Sequence, residues 1–258
     1  MMRSPIPIYD CHGHLGAHPD FPAYKNDPEE MIRVMDLLNI ETLAVTSIRA
    51  CCNDCPRGNA EVDAVLGRYP GRFRGYITVN PSPEGEALRE LERWSGFHRP
   101  PLIKLHPDLQ KYRVDEARCN PIWDYASQSG AVVLVHTWDS DPNCGPLLFP
   151  PIARAFPRAS IILGHSGVTW RGYHQAIEAA LASPNLFLDI SGSQSHRTII
   201  EEMVRRVGSS RILFGSDMPY LEAAVSLGRV LTAKIADADK QMILRDNFRR
   251  LLREEKPV

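Results

Sequence analysis

Eight short apolar runs, each followed by a loop and then by a stretch with helical spacing, recur along the chain. They are Ile6–Cys11, Thr42–Ser47, Phe73–Val79, Leu102–Leu105, Val132–His136, Ile161–Gly164, Leu186–Asp189 and Ile212–Gly215. Several are apolar at every position, as strands covered on both faces must be. Between them, Val62, Val65, Leu66 and Tyr69 mark one helical face, and Leu244, Phe248, Leu251 and Leu252 mark another with one slip. Asp27-Pro28 and Asn120-Pro121 predict helix starts, each placing a capping side chain before a proline in the first turn. Repeated strand–helix alternation gives parallel strands joined by right-handed crossovers. Eight such units in 258 residues predict an α/β fold, a (β/α)8 TIM barrel formed as a single domain over residues 1–258. A barrel of this kind typically needs about 250 residues. The rival is an open doubly wound sheet with a phosphate turn of the G-x-G-x-x-G type. The turn after the first run reads CHGHLGAH and lacks that pattern.

The chain is 43% hydrophobic and 24% charged, so it can bury a globular core. Lys+Arg 30 against Asp+Glu 31 gives a net charge of −1, which argues against nucleic acid or an anionic membrane as partner. Its longest apolar runs fall far short of the roughly 18 residues a membrane span requires. The N-terminus MMRSPIPIYD lacks an apolar signal core, so a cytoplasmic protein is expected. Six cysteines are too sparse for a disulfide scaffold in a chain this long. Cys51, Cys52 and Cys55 cluster in SIRACCNDCPRG. A closed zinc site wants four ligands, and no second C-x-x-C exists, so free thiols on a loop are expected there.

Five of the nine histidines close a predicted strand or lie just beyond one: His12, His14, His106, His136 and His165. In a parallel barrel the C-terminal strand ends open on one face, where active sites are built. These imidazoles should therefore converge. His12-Gly13-His14 is the sharpest element, because residues i and i+2 of an extended chain point the same way and can grip one cation. Asp217, after the eighth run, would complete a nitrogen–oxygen shell with a position left open for water. A helix N-cap is its alternative role. Lys104 shares the parity of His106 and would point into the barrel. It could serve as a counter-charge for Asp217, as an anchor for a substrate carboxylate, or, with His106, as part of an additional metal bridge through a carbamylated amine.

The set His12-x-His14, Lys104-Leu-His106-Pro107, His136, Gly164-His165-Ser166-Gly167 and Gly215-Ser216-Asp217-x-Pro219 resembles the amidohydrolase superfamily. It is most similar to the branch that contains aminocarboxymuconate-semialdehyde decarboxylase and related metal-dependent hydrolases. Asn59-Ala-Glu61, Tyr69 through Phe73, Val79-Asn80-Pro81 and Asn247 extend the likeness over the whole chain. The resemblance implies a distorted barrel holding one divalent ion. Zinc is the usual metal, and manganese, iron or cobalt suit the same donors. It implies no organic cofactor. His12, His14, His136 and Asp217 would be the ligands, with His165 and Asp217 as the catalytic acid–base groups. The chain is short for that branch, and the cysteine cluster is foreign to it.

Two reactions fit these residues. Hydrolysis of a small amide, lactone or ester by metal-activated water is the first expectation, with His165 and the ion stabilising the oxyanion. Non-oxidative decarboxylation of a small unsaturated or aromatic carboxylate is the alternative, and a non-catalytic metal-binding barrel is a lesser one. Both reactions call for a cation facing an acidic small-molecule substrate. Arg49 is the expected one, with Trp138, Trp170 and Tyr220 walling the substrate. A homodimer is the commonest assembly for such a chain.

Overall fold

The computed structural model describes residues 3–18, 20–23, 25–82 and 85–254. Nine strands appear among them: β1 (Ile8–Leu15), β2 (Ile40–Ser47), β3 (Phe73–Gly75), β4 (Ile77–Thr78), β5 (Leu102–Leu105), β6 (Val132–His136), β7 (Ser160–Gly164), β8 (Leu186–Asp189) and β9 (Ile212–Leu213). All neighbouring pairs are parallel. β1 to β3 form one sheet and β4 to β9 another. The seam between them is only the break at Tyr76. Its N–H donates to Val45 O at 2.9 Å, so β3 and β4 are two halves of one stave. On the other side Cys11 N–H donates to Phe214 O at 2.9 Å, and His14 N–H donates to Met218 O at 2.8 Å. These bonds join β1 to the chain leaving β9, and eight staves close into the expected TIM barrel.

Alternation along the strands sorts the apolar residues into two layers. Leu43, Val45, Ile103, Val133, Val135 and Leu188 face the surrounding helices in one buried cluster. Ala44, Leu102, Val132, Leu134, Ile162 and Leu213 fill the barrel interior in another, together with Phe248 and Leu252 from the C-terminal helix. Asn247 fastens that helix: its Nδ2 donates to Ser209 O at 2.7 Å and to Ile212 O at 2.8 Å. Parity then dictates the site. Lys104 follows Leu102 by two, and His136 follows Leu134 by two, so both side chains belong to the interior, above the apolar plug.

Three local expectations are corrected. The first strand does not stop at Cys11 but runs to Leu15, because Gly13, His14 and Leu15 pair with Val45, Thr46 and Ser47. His12 and His14 therefore lie within a strand, beside a register shift between Asp10 and Gly13. Such a bulge re-aims side chains next to active sites. Asn120 does not cap the helix it opens, since the 3-10 turn Ala117–Cys119 runs into it without a side-chain cap. The cysteine stretch is largely helical, Ile48–Cys51 and Cys55–Arg68, with Cys51 and Cys55 buried and Cys52 exposed. Asp27 caps as expected, accepting from Glu30 N–H at 2.9 Å. No helix among the described residues is long and apolar enough to cross a membrane.

One half-buried histidine, His98, makes stability depend on pH. His98 Nε2 accepts from Gly75 N–H at 2.8 Å. Burial, and then the Arg74 guanidinium, push its pKa down from 6.5 to about 4. Between these values the unfolded chain binds more protons than the native one, so stability rises with pH across that window. His98→Gln, which offers an uncharged acceptor, should flatten the slope of unfolding free energy between pH 6.5 and pH 4 by up to about 3 kcal/mol. Denaturant titrations of both proteins across that range test this, and parallel curves would refute it.

Candidate metal centre and active site

Asp189, the last residue of β8, is buried completely and carries no solvent contact. Its Oδ2 accepts from His12 Nδ1 at 2.7 Å, from His165 N–H at 3.0 Å and from Ser191 Oγ at 2.5 Å. Its Oδ1 accepts from Ser191 N–H at 2.8 Å. Burial raises the Asp189 pKa, and these donors act against that rise. Every contact is with a donor, which is the pattern of a carboxylate. The bond to Asp189 places the His12 proton on Nδ1 and leaves a bare lone pair on Nε2. Asp189 thus orients His12 as outer carboxylates orient metal-binding histidines.

That lone pair faces a crowded corner. His14 Nε2 is 3.2 Å away, Asp217 Oδ1 3.7 Å and Lys104 Nζ 3.1 Å. His14 Nε2 lies 3.1 Å from the same Asp217 oxygen. Ligand-capable atoms of His12, His165 and Asp217 all lie within 4.8 Å of one another. His136 sits at the edge of the group, its ring centroid 5.1 Å from that of His165. Burial first, and neighbouring cationic groups second, lower the pKa values of His12 and His136 well below the ordinary histidine value. Burial likewise lowers that of His14, against the pull of Asp217. Burial alone would raise the Asp217 carboxyl, but His165, His14 and Lys104 outweigh it and its pKa falls. Neutral imidazoles around an ionised carboxylate are the donor set a divalent cation requires.

The turn after β7 carries the backbone irregularity typical of functional sites. His165, Ser166 and Val168 have φ of 60°, 48° and 66°, and Asp217 has 64°. A β-branched residue is rare in that region, and such conformations persist only where surroundings enforce them. Here Ser166 Oγ donates to Asp189 O at 2.8 Å, and Thr137 Oγ1 accepts from Gly167 N–H at 2.9 Å. Asp217 is no helix cap: its carboxylate turns inward to His14 and His12.

Above this group opens a cavity of about 240 Å³. His14, His106, His136, His165 and Asp217 line its floor, and Trp138 and Tyr220 line it too. Tyr220 packs 5.1 Å from the His14 ring, stacks on Phe21 at 5.7 Å and donates its hydroxyl to Gly16 O at 2.9 Å. His106 stacks on His136 at 4.2 Å, and its Nδ1 accepts from Leu109 N–H at 3.3 Å, capping a helical turn. Two expected contacts are elsewhere. Arg49 pairs with Glu61 at 2.6 Å and lines a separate groove, because Glu61 lies on the helix packed beside it. Trp170 is 62% exposed and stands against His174, outside the cavity. Lys104 is sealed beneath His12, out of reach as a substrate anchor. Asp189 and Ser191 were not anticipated, although an acid closing the apolar run LFLD was the available signal.

A family model described as amidohydrolase matches residues 9–253. The chain belongs to the amidohydrolase family. A γ-resorcylate decarboxylase of Rhizobium radiobacter is 26% identical over 86% of this chain and 86% of its own length. Among solved structures, an uncharacterised TIM-barrel protein from Bordetella bronchiseptica superposes with a TM-score of 0.80 at 20% identity, covering 96% of this chain and 99% of that one. A dihydroxybenzoic acid decarboxylase from Polaromonas sp. JS666, with bound manganese and 2-nitroresorcinol, gives 0.75 at 18% identity, covering 96% and 97%. These findings support an enzyme and correct the reaction expected first. The curated relatives that name a reaction here are γ-resorcylate decarboxylases, so the hydrolase reading is withdrawn.

Gly215 shows how tightly the centre is built. A Cβ there would lie 2.0 Å from Asp189 Oδ1 and 3.1 Å from His12 Cβ. Gly215→Ala must therefore displace a fully buried carboxylate, and should cost about 1–3 kcal/mol. Thermal unfolding should shift down by several degrees, at about 2–4 °C per kcal/mol for a chain of this size. An unchanged midpoint would mean that Asp189 is free to move.

Proposed function

We propose that this protein is a metal-dependent, non-oxidative carboxy-lyase acting on a small hydroxylated aromatic carboxylate. The observation that carries this reading is the buried donor set of His12, His14 and Asp217 opening into a ring-walled cavity, in a chain whose relatives include γ-resorcylate decarboxylases. His12, His14 and Asp217 would hold the ion, with His136 beside them. When bound, the ion supplies a fixed positive charge that holds and orients the substrate carboxylate.

The remaining chemistry falls to the chain. Ser191 Oγ gives its proton to Asp189, so it accepts from His165 Nδ1 at 2.8 Å. That leaves His165 Nε2 as the atom able to carry a mobile proton. Nε2 takes a proton from solvent and delivers it to the ring carbon bearing the carboxylate. The carbon–carbon bond then breaks, its electrons return to the ring, and CO2 leaves. One proton is consumed, one C–H bond forms, and nothing is oxidised or reduced. Trp138 and Tyr220 line the cavity and would pack against the ring.

With 2,6-dihydroxybenzoate, the metal-loaded protein should release CO2 and resorcinol in equal amounts. A chelator should stop turnover, and added zinc or manganese should restore it. His165→Asn should keep one equivalent of metal by elemental analysis while losing at least about 100-fold in kcat, the range of a general acid. If the ion leaves with the imidazole, His165 is a ligand and not the proton carrier. Failure to release CO2 from any hydroxylated benzoate would overturn the reading.

A further inference from the structure

The loop after β8, residues 190–195, contributes Gly192 and Ser193 to the lining of the cavity and supports His165 from behind. Ser191 Oγ lies 2.8 Å from His165 Nδ1. Gly192, with a left-handed φ of 107°, passes so close that a Cβ there would lie 3.3 Å from His165 Cβ. The proton carrier is therefore held by a Ser-Gly-Ser-Gln-Ser segment, which has little stiffness of its own. At the start of the loop Ser191 N–H donates to Asp189 Oδ1 at 2.8 Å. At its end His196 caps the helix Arg197–Val207 through Thr198 N–H. Between these anchors, Gly192, Ser193 and Gln194 bond to one side chain among the described residues, that of Arg229.

Arg229 lies on the helix Ala223–Thr232 and is half-buried. Its Nη1 donates to Gly192 O at 2.9 Å and its Nη2 to Ser193 O at 3.4 Å. No carboxylate pairs with it among the described residues, and burial lowers its pKa. Partial desolvation of a guanidinium without a counter-ion costs free energy, and here only hydrogen bonds to backbone carbonyls offset that cost. The planar fork suits two successive carbonyls, a match that a lysine ammonium does not make. Arg229 is not among the residues that line the cavity, so any influence on the chemistry passes through the loop. Gly192 is the link: its carbonyl is held by Arg229, and its Cα abuts His165.

We propose that Arg229 is a positioning residue for the proton transfer: by clamping the carbonyls of Gly192 and Ser193 it holds Ser191 against His165 and keeps the His165 proton on Nδ1. Its effect on turnover rests on the carboxy-lyase reading, and its effect on the imidazole does not.

Arg229→Gln and Arg229→Lys, both loaded with zinc, test this against the wild type. Arg229→Gln should lower kcat with 2,6-dihydroxybenzoate about tenfold or more, while KM and the one equivalent of metal stay within about twofold. Arg229→Lys, which can hold one of the two carbonyls, should recover about threefold or more of that loss, and it carries the same readouts if the glutamine variant fails to fold. Nitrogen-15 spectra of histidine-labelled protein, with His165 assigned through His165→Asn, should show Nδ1 protonated in the wild type and exchanging between tautomers in Arg229→Gln. Amide exchange should quicken in the peptide spanning residues 190–196. Faster exchange there with the same kcat and the same His165 spectrum would make Arg229 a clamp for the loop alone and overturn the proposal. So would a variant that loses its metal, or one in which KM rises and kcat does not fall. A changed His165 spectrum in a protein that releases no CO2 upholds the positioning and sinks the carboxy-lyase reading alone. CO2 release at one rate from all three proteins, with one His165 spectrum, sinks the positioning alone.

Discussion

A single buried carboxylate joins the fold to its chemistry. Asp189 sits at the end of β8 and binds His12 from β1, two staves away around the closed barrel, with β9 between them. The same oxygen holds the backbone of His165 after β7. Three staves are thereby locked around one charge in an environment without water. Removing one partner of such an arrangement leaves a buried charge or an unpaired donor, which costs far more than the contact itself is worth. Position and protonation state are set together: the bond that orients the His12 ring also decides which nitrogen faces His14 and Asp217.

The closure of the barrel is what gives that carboxylate its reach. β9 is only two residues long, so the wall at that point depends on the bonds from Cys11 to Phe214 and from His14 to Met218. Asp217 N–H in turn donates to His12 O at 2.8 Å. The backbone that closes the barrel is therefore the backbone that carries Asp217 and both early histidines. Glycine at position 215 lets the chain pass within contact of Asp189, and the left-handed φ of Asp217 turns its carboxylate inward.

Much of this was legible in the residues. Alternation of strand and helix predicts a parallel barrel, and strand-end histidines predict convergence, since both follow from local patterns with one geometric outcome. The parity of Lys104 also placed it correctly, because a period of two leaves no choice once the strand is recognised. What was not legible depends on where a side chain turns after the strand ends. Arg49 lies just past β2, but a helix begins there, and Glu61 two turns into the next helix takes the guanidinium away from the cavity. Trp170 opens a helix and points to solvent for the same reason. Asp189 and Ser191 went unnoticed because an acid after an apolar run reads as a turn residue until a distant histidine is placed against it. The first strand was cut short because His-Gly-His has no β propensity of its own, and its pairing with β2 is a tertiary effect.

The choice between hydrolysis and decarboxylation turns on what surrounds the metal-capable donors, not on the donors themselves. Neutral imidazoles and a carboxylate can hold an ion that activates water or an ion that orients a carboxylate. Hydrolysis asks for a water placed against an electrophilic carbon and a leaving group to be protonated. Decarboxylation asks for a cavity that takes a flat ring and a proton carrier at the carbon that bears the carboxylate. In this chain Arg49, the cation expected to anchor an acidic substrate from the side, is paired with Glu61 and lines a separate groove, while Trp138 and Tyr220 line the cavity. In the proposed reaction a substrate carboxylate would bind at the floor, beside His165. Burial of that group among neutral imidazoles would weaken its hydration, and loss of CO2 would relieve the cost. On the proposed reading, the same desolvation that fixes the histidines as neutral donors would favour the departure of a carboxylate held against them.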